Sequence, residues 1–531
     1  MKAPIREKDP RPSDGRRPTG TGTDSGPSHP ARRVSPATTE PLARGFIGFL
    51  GGPVGRFAEV GRSRWWTPLR TLIFTALVFL SFGFLSKANC IQGARGEDGT
   101  LGIDWSGNRQ YVSACYNDLV PLFAGRGLDV GGFPYAWSWQ EGDLTRYLEY
   151  PVLTGLFQGA MGWLTRLTWP LVDALPGNTL PQAGWYFALT ALALSALWVL
   201  TIRIVAELAG NRIWDTILVA ASPLVIVHAF TNWDIPSIAA VAAAMLAVKR
   251  GHPLWAGVLI GAGTAFKLWP LYILGAYLVL AVRGGKLRPF LGMLGTAVVT
   301  WLAVNLPVML AYPAAWNEFL RLNSERGWEW TTIWAVISRE TGWSGFDSGP
   351  GDPVILNAVT FLLFAAACLA IAAFGLWVER RPRVAELVFL IVACFLLLNK
   401  VWSPQYSLWL VVPAVLALPR WRLLLTWMAV DMLVWPMVMW HMLGAENNGI
   451  PGQLLDVVIL TRDGLIVAMI VLVVRQMMGR SPDKVRAAHD GRDPLAGPFG
   501  EEDAFTLRPR RDAGGGERRE GSPATPVGDD G

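Results

Sequence analysis

The sequence predicts an all-α polytopic transmembrane helix bundle, on two observations. Long apolar runs recur through residues 67–475, and the cations between them gather at every second connection. Hydrophobic residues make up 52% of the chain and charged residues 17%. Several runs approach the ~20 apolar residues that a helix needs to cross a bilayer, which excludes a soluble enzyme. The connections holding Arg203/Arg212, Lys249/Arg250, Arg283/Lys286/Arg288, Arg380/Arg381/Arg383 and Arg420/Arg422 contain twelve cationic residues. The intervening connections near 230–234, 266–270, 399–405 and 440–453 contain two, Lys267 and Lys400. Positive charge stays on the cytoplasmic side, so the alternation predicts both termini in the cytoplasm and isolates two lysines on the outer face. The net charge of +6 follows from those loops and tails and implies no nucleic-acid partner.

Taken in order, residues 1–43 are rich in Pro, Gly, Ser, Thr and Arg, and read as a disordered cytoplasmic tail. The stretch 44–66 mixes Phe, Leu and Val with Arg and ends in Trp65-Trp66; it fits an interfacial helix or an irregular linker. The first apolar run begins near Pro68, too late for a cleavable signal peptide, and is expected to remain as a span. Twelve spans follow from the apolar runs: about 67–87, 184–207, 213–230, 234–249, 253–268, 270–283, 288–310, 353–378, 384–399, 404–418, 421–442 and 454–476. Several are shorter than a bilayer, and need a thinned membrane or an outer cavity that meets their ends. The apolar segment 148–169 is not counted, because a thirteenth span would turn every cationic loop outward. It reads as an amphipathic or re-entrant helix within a first outer loop at 88–183. A second large outer loop covers 311–352, the membrane domain runs from 67 to 478, and 479–531 reads as a second disordered tail.

Polar residues concentrate at the outer connections. In the first loop, Tyr111, Cys115, Asp118 and Leu122 fall on one face of a helix expected over 110–123. A carboxylate facing a cavity near the membrane surface is a candidate general base, and an Asp capping or salt-bridging inside a folded loop is the plainer reading. Cys90 and Cys115 share that loop and are disulfide candidates in an oxidising compartment, whereas Cys368 and Cys394 lie inside spans as packing residues. Three further outer turns read His228-Ala-Phe-Thr-Asn232-Trp-Asp234, Phe266-Lys267-Leu-Trp269-Pro270 and Asn399-Lys400-Val-Trp-Ser403-Pro-Gln405-Tyr406. An ammonium near the hydrocarbon is costly without an anion, and a lipid phosphate is the anion a membrane supplies. Snorkelling to headgroups is the alternative for either lysine alone. Deeper in the bundle, Asp431 and Arg462 fall at similar depth on antiparallel spans, giving a structural pair or a phosphate-binding arginine. No His/Cys/Asp cluster has metal-ligand spacing, so metal independence is expected.

With these pieces in order, the chain resembles the polyprenol-phosphate-dependent GT-C glycosyltransferases, in particular glycosyltransferase family 87. Those pieces are Asp118 with the turn Gly125-Arg-Gly127, Glu149-Tyr150-Pro151, Asn232-Trp-Asp234, Lys267 with Pro270, and Ser403-Pro-Gln-Tyr406. The chain departs from the family in having Val152 after Pro151, and an Asn-Trp-Asp turn where Gly-Gln-x-Asn is usual. The resemblance implies hexosyl transfer with inversion on the outer face of a bacterial plasma membrane. The donor is a polyprenyl-phosphate sugar, the acceptor a lipid or glycan, and no separate cofactor is required. Asp118 takes the base role, while Lys267 and Lys400 (with Arg462 a third candidate) hold the donor phosphate. Glu149, Tyr150, His228, Asn232, Asp234, Gln405 and Tyr406 line the cavity. The Ala/Gly/Arg-rich composition and long tails favour mannose by association with high-GC bacteria. A transporter or lipid flippase is the rival reading, which internal repeats would support; residues 67–283 and 288–476 show none.

Overall fold

The computed structural model describes residues 40–50, 65–97, 99–347, 351–500 and 502–508, all within one compact unit, Arg33–Gly531. Residues 1–39 and 509–531, expected as parts of disordered tails, lie outside the described residues, as does most of the stretch read as an interfacial helix or linker. What is described of that stretch is helix α1 (Pro41–Leu50), which begins slightly earlier than expected and exposes Phe46 and Phe49.

The first span is α2 (Pro68–Ser86). Thr67 caps it by accepting a hydrogen bond from the Arg70 amide at 3.3 Å, and Pro68 occupies the first turn, where no amide donor is needed. The first loop then forms two small antiparallel hairpins, β1 (Gly93–Arg95) with β2 (Leu101–Ile103) and β3 (Ser138–Glu141) with β4 (Leu144–Tyr147). The single helix expected over 110–123 does not form. Residues Arg109–Val112 make one turn, Ala114 takes a left-handed φ of 50°, and α3 (Leu119–Gly125) starts after Asp118. Two tethers account for the break: the Cys90–Cys115 disulfide, with Cα atoms 5.6 Å apart, and the Asp118 amide donating to the Thr231 carbonyl at 2.8 Å.

The segment left out of the span count is helix α4 (Val152–Asp173), and it is not among the helices long and apolar enough to cross a membrane. Trp163, Leu167 and Leu171 face outward, while Thr154, Gly155, Gln158, Gly162 and Thr165 are buried. This inverted amphipathicity, small and polar inward with apolar outward, belongs to a helix in contact with lipid.

Six helices have the length and apolarity to cross: α2, α5 (Gln182–Ala209, continuing to Ala220), and four others described below. The span expected at 213–230 is instead broken. A 3₁₀ stretch at Gly210–Thr216 and one turn at Ile217–Ala220 lead to Pro223, which opens the six-residue α6 (Pro223–His228). Pro223 cannot continue the preceding helix, because its ring excludes the helical bond to the residue four back. Next come α7 (Ile235–Lys249), α8 (Pro253–Phe266), α9 (Ile273–Arg283) and the long α10 (Leu287–Ala311). The second large connection, read from the sequence as an outer loop, carries α11 (Pro313–Glu325) and α12 (Ile333–Thr341). The remainder is α13 (Val354–Trp377), α14 (Val384–Leu398), α15 (Ser407–Ala417), α16 (Trp421–Met442) and α17 (Gly452–Met477).

The short helices are short because they are central. Every residue of α15 is buried and most residues of α7 and α14, while the long α10 and α13 bury only a few of theirs. A helix walled by protein need not match the hydrocarbon thickness, and its polar end can meet a cavity.

Residues 479–500 and 502–508 were expected in a disordered tail, but they pack against the bundle. Phe499 is fully buried against Tyr277, and Asp483 pairs at 2.9 Å with Arg383 just before α14. Asp503 pairs at 2.8 Å with Arg283 at the end of α9. Composition gave no warning, because the segment is held by buried ion pairs and backbone bonds rather than by an apolar run.

Candidate functional site

Where the short helices end, a cavity of about 720 Å³ opens. Its wall includes Asp118, Glu149, Tyr150, Asn232, Lys267, Lys400, Gln405 and Tyr406, so residues from four separate connections meet there. His228, Asp234 and Arg462 do not line it.

Asp118 is set by its neighbours in sequence. The buried Asn117 accepts a hydrogen bond from the Val120 amide at 3.0 Å and turns the chain into α3, which leaves the next side chain pointing into the cavity. The Asn232 amide then organises the centre. Its Nδ2 donates to Asp118 Oδ2 at 2.6 Å and to the Tyr150 hydroxyl at 3.1 Å. Its Oδ1 accepts from Lys267 Nζ at 3.0 Å and from the Trp233 amide at 2.6 Å. The Lys267 charge is thereby linked to the Asp118 carboxylate through one polarised amide. Burial pushes the Asp118 carboxyl above the usual carboxylate range, against the opposing pull of Asn232, Tyr116 and the Lys267 ammonium. Burial and the Asp118 charge raise the Tyr150 phenol well above its ordinary value.

Lys267 leaves the helical path at the end of α8, with an extended backbone. Besides Asn232, its ammonium lies 3.7 Å from Asp234 Oδ1 and 5.3 Å from the Tyr150 ring centre. Asp234 sits behind this wall, accepting from Trp409 Nε1 at 2.9 Å, and so compensates Lys267 from outside the cavity. The cavity's other cations have different partners. Arg126 grips Glu149 with two bonds of 2.7 Å while lying 4.0 Å over the Trp139 ring. Arg326 pairs with Glu329 at 2.7 Å. Among the described residues, Lys400 has no carboxylate within salt-bridge distance; its ammonium donates to the carbonyls of Arg326 and Ser324. Burial, and then the neighbouring Arg326 charge, bring the Lys400 amine down to about 8.

His228 is buried against Trp435, ring centres 5.5 Å apart, outside the wall. Arg462 does not pair with Asp431 as expected. Its guanidinium binds Asp463 at 2.9 Å, donates to the Thr331 carbonyl at 2.6 Å and stacks 3.5 Å over Trp402. The adjacent carboxylate and the ring face hold it, and it braces the wall from behind. Gln405 and Tyr406 do reach the cavity, with Tyr406 stacked 4.0 Å from Trp409.

Sequence reasoning missed Tyr116, Arg326, Glu329 and Trp330, all cavity-lining. Tyr116 sits two residues before Asp118, but the broken helix turns it in a direction that periodicity does not give. Arg326, Glu329 and Trp330 cluster in the connection between α11 and α12, where density of polar and aromatic residues was the available signal. No group of three or more His, Cys, Asp or Glu gathers as a metal site among the described residues.

Residues 167–404 match glycosyltransferase family 87. The matched stretch holds Asn232, Asp234, Lys267, Lys400 and the Arg326–Trp330 segment, and ends just before Gln405. No curated protein matches the chain. The match and the motif resemblance agree: over this stretch the chain, with its lipid-length helices, is similar to the glycosyltransferases of family 87.

Proposed function

We propose that this membrane protein is a glycosyltransferase that moves a hexose, mannose in the first instance, from a polyprenyl-phosphate donor to a lipid or glycan acceptor on the outer face of the bacterial plasma membrane. One observation carries the reading: a single cavity holds a half-buried carboxylate, Asp118, together with two ammonium groups, Lys267 and Lys400. Asp118 accepts the proton of the acceptor hydroxyl as that oxygen attacks the anomeric carbon. The bond from that carbon to the phosphate oxygen breaks on the opposite side, so the centre inverts, and polyprenyl phosphate leaves with the electron pair. Fixed cations at the leaving oxygen stabilise the charge that develops there.

The charge distribution supports a division of labour between the lysines. Lys267 is already compensated by Asp234 and Asn232, which suits it to positioning Asp118 and to a secondary contact with the phosphate. Lys400 meets only carbonyl oxygens, with Arg326 beside it, and is the ammonium with most to gain from an incoming phosphate. Arg462 serves the wall rather than the phosphate.

The test is transfer of labelled sugar from polyprenyl-phosphate mannose by membranes containing the protein, run beside a panel of other lipid-linked donors. Asp118→Asn is expected to lower transfer by at least about a thousandfold, toward the upper range for losing a general base. Transfer persisting in that variant removes the base assignment. Accumulation of substrate in vesicles without any transfer favours a transporter.

A further inference from the structure

We propose that Glu329 and Trp330 form a saccharide subsite at the mouth of the cavity, holding an acceptor sugar adjacent to the one being modified, so that the natural acceptor is a glycan of two or more sugars. This rests on the glycosyl-transfer reading above and specifies its acceptor.

The two residues are adjacent and both line the cavity. Trp330 is 49% exposed, yet its position is defined from behind. Its carbonyl accepts from Arg339 Nη1 at 3.0 Å, and the His441 ring meets it edge-on, centres 5.5 Å apart. The indole thus presents an open apolar face beside the reaction cavity. Glu329 supplies the polar counterpart. Its Oε2 is taken by Arg326 at 2.7 Å, whereas Oε1 has no partner among the described residues. That oxygen faces the open cavity with its acceptor capacity unused. Sugar hydroxyls are donors for it, and the less polar C–H face of a pyranose is a match for an indole. A phosphate headgroup is disfavoured at the same place by the Glu329 charge, and Arg339 is already committed to Asp456 at 2.9 Å.

The segment is also rigid, which lowers the entropy lost on binding. The Glu329 amide donates to the Lys400 carbonyl at 2.8 Å, and Thr331 donates to the Trp402 carbonyl. Arg462 clamps both strands of this turn through the Thr331 carbonyl and the Trp402 ring. The subsite is therefore tied to the turn that carries Lys400, and occupancy by acceptor sugar and by donor phosphate share one framework.

Calorimetric titration of the full-length protein in detergent, with methyl glycosides of mono- and disaccharides of mannose, glucose, galactose and arabinose, tests this without requiring turnover. At least one disaccharide is expected to bind about tenfold more tightly than its monosaccharide, the scale of one well-filled pocket contact. Trp330→Ala and Glu329→Gln are each expected to remove that advantage, with Trp330→Phe retaining most of it. A deoxy form of the preferred disaccharide, lacking one hydroxyl of its second sugar, is expected to lose the advantage with the unmutated protein, which keeps the test open if a variant fails to fold. Equal affinity for every mono- and disaccharide pair overturns the proposal. So does a Trp330→Ala variant whose only defect is weaker retention in lipid vesicles, which assigns the indole to membrane anchoring. Transfer from lipid-linked donors, measured in parallel, separates the two readings: transfer intact without disaccharide preference removes the subsite alone. Disaccharide preference without transfer from any donor removes the transferase reading and the subsite's role in holding acceptor.

Discussion

Asp118 illustrates a conflict between stability and chemistry at a single residue. Its carboxyl is raised because burial disfavours the charged form more than Asn232, Tyr116 and Lys267 favour it. A raised carboxyl binds protons more strongly in the folded than in the unfolded state. Its contribution to stability is therefore present below the ordinary carboxylate value and is lost as pH rises from there through the raised folded value. Asp118→Asn is accordingly expected to raise the melting temperature at neutral pH while abolishing transfer, since Asn can still accept from Asn232; an unchanged or lower Tm at pH 7 contradicts this balance. The base form disappears at a higher pH than for an ordinary aspartate, so the acid limb of kcat/KM should lie above that of an exposed carboxylate. Lys400 sets the alkaline side. With its amine near 8, its charge fades as pH rises from 7 to 9, and the KM for an anionic donor should climb over that interval with kcat changing less. Lys400→Arg keeps its charge throughout, so steady-state kinetics on that variant should show a flat KM over the same pH range.

Close packing of elements fixes where the polar turns end up. The α8–α10 pair is the most extensive helix contact in the bundle and depends on the glycines of α8. A Cβ on Gly257 would strike the Met293 carbonyl and Thr296 Oγ1, and one on Gly261 the Ala297 carbonyl. Backbone carbonyls inside α10 cannot step aside, so Gly257→Ala is expected to cost about 1–3 kcal/mol by overpacking and to displace Lys267 at the end of α8. At Gly295 in α10, a methyl group would meet nothing within 4 Å, so Gly295→Ala should be neutral or stabilise by up to about 1 kcal/mol through helix propensity. Thermal unfolding of the two variants in the same detergent compares them; equal effects would discount the close approach. In the first loop, the disulfide and the Asp118–Thr231 bond hold the polypeptide in two short helices where one was expected.

At the scale of the molecule, the cavity lies at one end of the short central helices and an ion-pair network at the other end of α14. Arg383 and Asp483, with side chains 0% and 1% exposed, sit at that second end. Arg383 also donates to the Leu416 and Ala417 carbonyls at 3.0 and 2.6 Å, tying α14, α15 and the C-terminal segment together. Asp483 keeps Arg486 at 3.3 Å, but the buried Glu386, 3.5 Å from Arg383, loses its cation and two carbonyls lose their donor, so Arg383→Met is expected to destabilise by about 3 kcal/mol. Truncation after residue 478 should produce a comparable fall in melting temperature. A truncated protein that melts with the full chain would show the segment to be passive.

Much of the element plan was legible because period and length depend on local sequence. The apolar runs mark α2, α5, α10, α13, α16 and α17 to within a few residues, and the cationic alternation predicts that Lys267 and Lys400 share a side. The motifs between Asn232 and Lys400 point to the family whose model matches residues 167–404. What local sequence leaves open is which partners a polar group finds. Asp234 and Arg462 read as cavity residues, yet Trp409 holds the one and Trp402 with Thr331 the other behind the wall. Glu329, Arg326 and the packed 479–500 and 502–508 segments carry no periodic signal, because their positions follow from hydrogen bonds to residues tens to hundreds of positions away. Chain spacing sets which elements exist and in what order. Long-range burial decides which of their charges stay uncompensated, and those are the ones left for a substrate.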